Sequence, residues 1–357
     1  MVKLIFLLGV FVIHLGLSRA SEVGVLVLAH GAKPKWNQTV LEAVEPLRER
    51  YRVEVAFGMA DPVKIEKALR RLEEKGVEKV VVVPLFISSH SPIIRQLRYI
   101  LGYSEEFPED PMVHLSKEER KTIRPLWDVL EKLPSPLAWW IQQEKPPVGV
   151  FEEVISLYIP EGEREKAVSL YSKAIQIINS RLQTIKPVET KMKVILTDPL
   201  DDHPVVTSIV CRRISELSED PSRESVILVA HGPNDEEDNL GWLTTMESMG
   251  RKCARRIQEE KGKAFRAILS VTVRDDAPEP IYEQAKQHLR ALVRQLSTSG
   301  EVIVIPLLIS QGGVEHRILE RLEGLEFRWN GKTILPSEEM IRFLESRIEE
   351  ALKKSAG

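Results

Sequence analysis

One apolar stretch occurs twice in this chain and restricts its fold more than any other feature. Val23-Gly24-Val25-Leu26-Val27-Leu28-Ala29 runs into His30-Gly31, and Ser225-Val226-Ile227-Leu228-Val229-Ala230 runs into His231-Gly232. A run of β-branched residues and leucines without polar alternation suits a strand buried on both faces, the kind found in parallel sheets covered by helices. The glycine after each histidine provides a permissive backbone for the turn that must follow. The copies lie 201 residues apart, too far for a solenoid repeat and suited to a duplicated α/β domain.

The rest of the chain is consistent with two such units. In the first, 52–57, 79–85 and 193–197 read as further strands, with helices over 36–51, from Pro62 to Gly76 and over 92–101. Pro46 predicts a kink or a shortened first helix. In the second, 265–273 and 301–309 read as strands, 333–336 as a short last strand and 337–354 as a final helix. Between 105 and 190 the pattern changes. Amphipathic stretches over 117–133 and 163–185 alternate with breaks such as Pro134-Ser135-Pro136 and Pro146-Pro147. This segment is too long for a bare loop and reads as a helical insertion in the first lobe. The expected fold is therefore α/β, with two similar lobes over 21–217 and 218–357, each a parallel sheet flanked by helices.

Residues 1–20 have the order of a secretory signal: Lys3, an apolar run from Leu4 to Leu17, then small residues at Ser18 and Ala20. The expectation is cleavage after Ala20 and an exported protein, periplasmic or secreted, with no stable membrane insertion once the leader is gone. Lys and Arg number 50 against 53 acids, so no basic excess argues for nucleic acid. Export permits a disulfide, but Cys211 and Cys253 both fall inside predicted helices and read as plain buried thiols. No Cys/His cluster has the spacing of a zinc site.

Ligands of open parallel sheets bind outside the carboxyl ends of the strands. Four of the eight histidines, His30, His90, His231 and His316, fall just past a predicted strand. Imidazoles converging from neighbouring strands suit a metal site or a general base, and suit cobalt, iron or nickel as well as zinc. No GxGxxG, GxxxxGK[ST] or GxSxG follows any strand, which removes the main support for dinucleotide, P-loop and hydrolase readings.

The stretches LAHG, VVVPLFISSHS, TDPLDDHP, LVAHG, VTVRDDAP and VIPLLISQGG, in this duplicated order, resemble the sirohydrochlorin cobaltochelatases, nucleotide-independent tetrapyrrole chelatases. The resemblance covers 23–104 and 191–350 and leaves the insertion unexplained. It implies two similar lobes sharing their terminal helices, with a cleft between them. It also implies insertion of Co2+ or Fe2+, as substrate, into a polycarboxylate tetrapyrrole, as in cobalamin biosynthesis, with no nucleotide cofactor. The catalytic and metal-binding histidines map onto His30 and His90, with His231 and His316 as second-lobe candidates. His90 follows Pro84 by six residues, whereas six after Pro306 comes Gly312. Arg95, Arg98, Arg274 and Arg317, near the strand ends, are candidates for binding substrate carboxylates. Two departures favour an alternative, an exported protein that binds metal or tetrapyrrole without metallating it. Gly58 or Met59 stands where relatives carry a glutamate, and the chain has a leader.

Overall fold

The computed structural model describes residues 23–108, 113–277 and 279–355; the leader expected over 1–20 lies outside them. Two parallel sheets carry the fold. The first joins β1 (Val23–Ala29), β2 (Arg52–Phe57), β3 (Lys79–Leu85) and β4 (Lys193–Leu196) in the order β2-β1-β3-β4. The second joins β5 (Glu224–Ala230), β6 (Ala267–Thr272) and β7 (Glu301–Pro306) in the order β6-β5-β7. Every pairing is parallel, with Ala29 opposite both Phe57 and Leu85, and Ala230 opposite Thr272. β1 and β5 lie between two neighbours each, and apart from Val23 they are buried along their length.

The helices begin where the sequence punctuates. α1 (Pro34–Val44) starts on proline, and the chain continues past Val44 as a 3-10 turn through Pro46, the predicted shortening. The Asp61 side chain caps α2 (Pro62–Glu74), accepting from the amides of Val63 and Lys64, and Ser91 caps α3 (Pro92–Ile100). His203 uses its ring to cap α8 (Pro204–Ser215). The second lobe adds α9 (Glu236–Lys261), α10 (Glu279–Ser297), α11 (Val314–Arg321) and the last helix, α12 (Met340–Lys354).

Helices α8 and α12 cross between the lobes. α12, from the end of the chain, packs on β3 and α1 of the first lobe, while α8, following the first sheet, packs on α9 and β7 of the second. One hydrophobic core accordingly runs through both lobes, joining Val27 and Val83 to Ile209, Leu228, Met249 and Phe343.

The insertion forms α4 (Lys117–Leu130), α5 (Ser135–Glu144), α6 (Val148–Ile155) and α7 (Glu161–Gln183), which bury Ile123, Leu126, Phe151 and Tyr171 in a core of their own. α5 also touches α10, so the insertion reaches the second lobe.

Two expectations are corrected. Residues 333–336 do not form a strand. The amides of Ile334 and Leu335 bond to Leu308 and Ile309, beyond the end of β7, and Pro336 has no N–H to continue a ladder; the bridge to β7 comes instead from Arg328 to Ile303. Cys211 and Cys253 are not separate thiols. α8 and α9 pack closely enough to bring their Cα atoms to 4.9 Å, and the sulfurs are bonded.

Candidate active site

In an open parallel sheet the binding crevice opens where successive connections leave in opposite directions. With the order β2-β1-β3-β4 that point lies between β1 and β3, and these strands lead into His30 and His90. In the second sheet it lies between β5 and β7, which lead into His231 and Gly312. The topology therefore gathers the first lobe's two histidines at one edge.

Both His-Gly turns need their glycine. Gly31 and Gly232 have φ of 78° and 74°. A Cβ on Gly31 would lie 2.9 Å from Cβ of Phe57, and one on Gly232 would lie 2.4 Å from Cβ of Thr272, so the turn presses against the neighbouring strand in each lobe. This geometry directs the two imidazoles alike. Nδ1 of His30 lies 2.7 Å from the carbonyl of Gly31, and Nδ1 of His231 lies 2.8 Å from that of Gly232. A carbonyl only accepts, so Nδ1 carries the hydrogen in both, and Nε2 of the neutral ring keeps its lone pair.

The lobes differ at Nε2. His231 Nε2 lies 3.2 Å from a carboxylate oxygen of Asp276, just past β6. Burial works against a charged His231, but the hydrogen bond and charge of Asp276 outweigh it and raise the histidine's pKa. Asp276 is correspondingly lowered, first by its bond to His231 and, less strongly, by the field of His30 from the other lobe. His231 Nε2 is thus engaged by the Asp276 carboxylate. His30 Nε2 has no hydrogen-bond partner among the described residues.

His90 is placed by three contacts. Asp201, from the TDPLDDHP stretch, accepts from the Ser89 amide at 2.8 Å and from its hydroxyl at 3.2 Å, holding the loop. Trp242 Nε1 donates to the His90 carbonyl at 2.7 Å. The imidazole lies against Gly241 in α9, where a Cβ would be 2.2 Å from Cγ and 2.4 Å from Nδ1 of His90. The second lobe shows the converse arrangement. Gly312, at the position corresponding to His90, lies against Trp36 of α1, and a Cβ on it would be 3.0 Å from the indole Cδ1. A large residue meets glycine at both junctions, and the sizes are exchanged between the lobes. His90 remains exposed, and its ring nitrogens make no hydrogen bond among the described residues.

The remaining candidates do not converge on this edge. His316 is 74% exposed at its side chain, one turn into α11, and 4.0 Å from Glu315. Arg95 makes a two-pronged bond to Asp238 of α9, at 2.7 and 3.0 Å, and so ties the lobes together. Arg274 is buried and engages the Pro233 and Asn234 carbonyls and Glu236, which makes it a brace for the loop after β5. Arg317 pairs with Asp275 at 2.9 Å. Arg98 lies over the Tyr103 ring. Sequence reasoning missed Asp276, although VTVRDDAP sets it at a strand end. It also missed Asp201 as the support of the His90 loop. Among the described residues no three His, Cys, Asp or Glu side chains form a closed metal cage.

The profile of the CbiX family matches residues 24–118. A sirohydrochlorin cobaltochelatase of Saccharolobus solfataricus is 31% identical over 104 residues, covering 28% of this chain and 79% of that protein. One from Sulfolobus acidocaldarius is 35% identical over 69 residues, covering 19% of this chain; the match spans only 56% of that protein's length. Among solved structures, SirB from Bacillus subtilis with Fe3+ aligns over 94% of this chain and 97% of its own, with 13% identity and a TM-score of 0.49.

Proposed function

The chain belongs to the sirohydrochlorin cobaltochelatase (CbiX) family, and on that premise we propose that it inserts Co2+ or Fe2+ into a sirohydrochlorin-type tetrapyrrole without a nucleotide. Seating a divalent ion in the macrocycle breaks two pyrrole N–H bonds, forms bonds from the ring nitrogens to the metal and releases two protons. The protein must offer a metal ligand and a proton acceptor at one face of the ring. In this reading His30 and His90 fill those roles. The observation that carries it is the contrast at Nε2. The Nδ1–H bond to Gly31 leaves His30 with an outward lone pair, whereas the equivalent atom of His231 is engaged by Asp276. An imidazole held in that tautomer by a backbone carbonyl can ligate a metal or take a proton near neutral pH.

His90 complements it from the adjacent strand, its loop held by Asp201 and its ring by α9. Because α9 belongs to the second lobe, the position of His90 depends on both lobes. Calorimetric titration with Co2+ tests the assignment. His30→Ala and His90→Ala should each abolish binding, and His316→Ala should leave it nearly unchanged. Loss of binding in His316→Ala alone would move the site to the second lobe.

A second reading, binding without metallation, is favoured by one observation. By the family resemblance, Gly58-Met59 stands where many chelatases carry a glutamate, and the Met59 carbonyl is bonded to His114 of the insertion. Stoichiometric uptake of metal or tetrapyrrole with no turnover would establish it.

A further inference from the structure

A cavity of about 630 Å³ opens between Met59, just past β2, and the first helix of the insertion. Its wall is chemically one-sided. Lys117, Arg120, Lys121 and Arg124 line it, joined by Trp127 and His114, with no carboxylate among the described lining residues. Positions 117, 120, 121, 124 and 127 share one side of α4, next to the buried stripe of Ile123, Leu126 and Leu130. The rise of the helix spreads these cations over about 10 Å.

A solvated basic face would account for the lysines alone, but two further observations point to a ligand. Among the described residues Lys117, Lys121 and Arg124 have no ion pair, although the chain carries 53 acids. Trp127 continues the stripe and is 44% exposed, giving the pocket a flat apolar surface beside the charges. The volume is that of a small-molecule site.

One wall residue, Met59, lies just past the strand next to β1. Ala29 pairs with Phe57, and Gly58 donates to Ala29, so Met59 and His30 leave adjacent strands separated by about 4.8 Å.

We infer that this pocket binds the peripheral carboxylates of a polycarboxylate tetrapyrrole, with Trp127 against the ring and the α4 cations on the acid groups. The inference rests on the chelatase reading for the identity of the macrocycle, but the site lies in the insertion, outside the duplicated lobes. It makes the insertion part of substrate capture.

The test uses the full chain and metal-free uroporphyrin, an octacarboxylate, followed by tryptophan fluorescence quenching, with the dicarboxylate mesoporphyrin alongside. Lys121→Ala/Arg124→Ala should weaken uroporphyrin binding by about tenfold, at about threefold per cation, with a smaller effect on mesoporphyrin. Raising the salt concentration should narrow the difference between wild type and variant. Trp127→Ala should weaken both macrocycles. Unchanged uroporphyrin affinity in a double variant that melts like wild type would overturn the site. Displacement of uroporphyrin by an equal concentration of inorganic tripolyphosphate, with Trp127→Ala silent, would also overturn it by making the pocket a general anion patch. Turnover of sirohydrochlorin reports separately on the chelatase reading. Capture through the stripe without turnover leaves the pocket and removes catalysis, whereas turnover with the stripe dispensable does the reverse.

Discussion

Replacing Gly241 by alanine should impair metal insertion while leaving most of the fold's stability intact. The backbone at 241 is helical, so alanine introduces no φ strain, and helix propensity alone would favour it by about 1 kcal/mol. The new Cβ, however, would lie 2.2 Å from Cγ, 2.4 Å from Nδ1 and 2.7 Å from Cδ2 of His90. Carbon atoms in contact rest about 3.5 Å apart or more, so the ring must withdraw by about 1.3 Å or leave its rotamer. α9 cannot retreat easily, because it packs on α8 and β6 and is bonded to α8 through Cys253. Overpacking of this kind costs about 1–3 kcal/mol, which the propensity gain partly offsets, giving a net loss of about 0–2 kcal/mol. A displacement above 1 Å in a reacting group can cost about a hundredfold in rate. The expected signature is therefore a kcat about a hundredfold lower in the sirohydrochlorin and Co2+ assay, with a small change in Tm. Gly312→Ala, whose Cβ meets Trp36 at 3.0 Å, serves as the control and should retain activity. Full activity in Gly241→Ala with an intact fold would refute the placement of His90 in the reaction.

Three further outcomes are expected. The Cys211–Cys253 bond closes a loop across a separation of 42 residues, so Cys211→Ser/Cys253→Ser should lower unfolding stability by about 4 kcal/mol in denaturant titrations, a loss that reductant should reproduce in the wild type. The His231–Asp276 pair should stabilise the fold in a bounded pH window. The histidine's contribution is complete below its ordinary range and disappears as pH rises through its raised folded value; the aspartate's is complete above the ordinary carboxylate range and disappears as pH falls through its lowered one. Urea midpoints across that range should show both limbs in the wild type and neither in Asp276→Asn, and identical profiles would dismiss the pair. The leader-like order of residues 1–20 leads us to propose export with cleavage after Ala20. N-terminal sequencing of the protein from its host checks this, and a mature chain beginning at Met1 would refute it.

The elements that set up the site were legible because they are local. An unbroken apolar run, a histidine and a glycine suffice to define β1 and its turn, and Asp61-Pro62 and Ser91-Pro92 mark helix starts by side-chain chemistry that needs no tertiary partner. What could not be read depends on distant contacts. The exchange of α8 and α12 between lobes, implied by the family resemblance, leaves no mark in either helix's periodicity. The bond between Cys211 and Cys253 depends on how closely α8 and α9 approach, which spacing along the chain does not encode. The arginines misled for the same reason. Arg274 lies at a strand end but turns into the Pro233–Glu236 loop, and Arg95 finds Asp238 across the lobe boundary. The substitution of Gly312 for His90 looked like a loss of ligand in the second lobe. In the structure it also has a packing counterpart, since Trp36 fills the space that Gly241 leaves open on the other side. Packing therefore favours at these two positions the same pair of residues that the proposed ligation requires.

The proposed chelatase activity requires multiple turnover that depends on His30. Sirohydrochlorin and Co2+ in large excess over the full chain, followed by the absorbance change on metallation, test it directly. The wild-type chain should give many equivalents of metallated product above the uncatalysed rate, and His30→Ala none above that rate. Product that stops at one equivalent, or a His30→Ala chain that turns over like wild type, would contradict it.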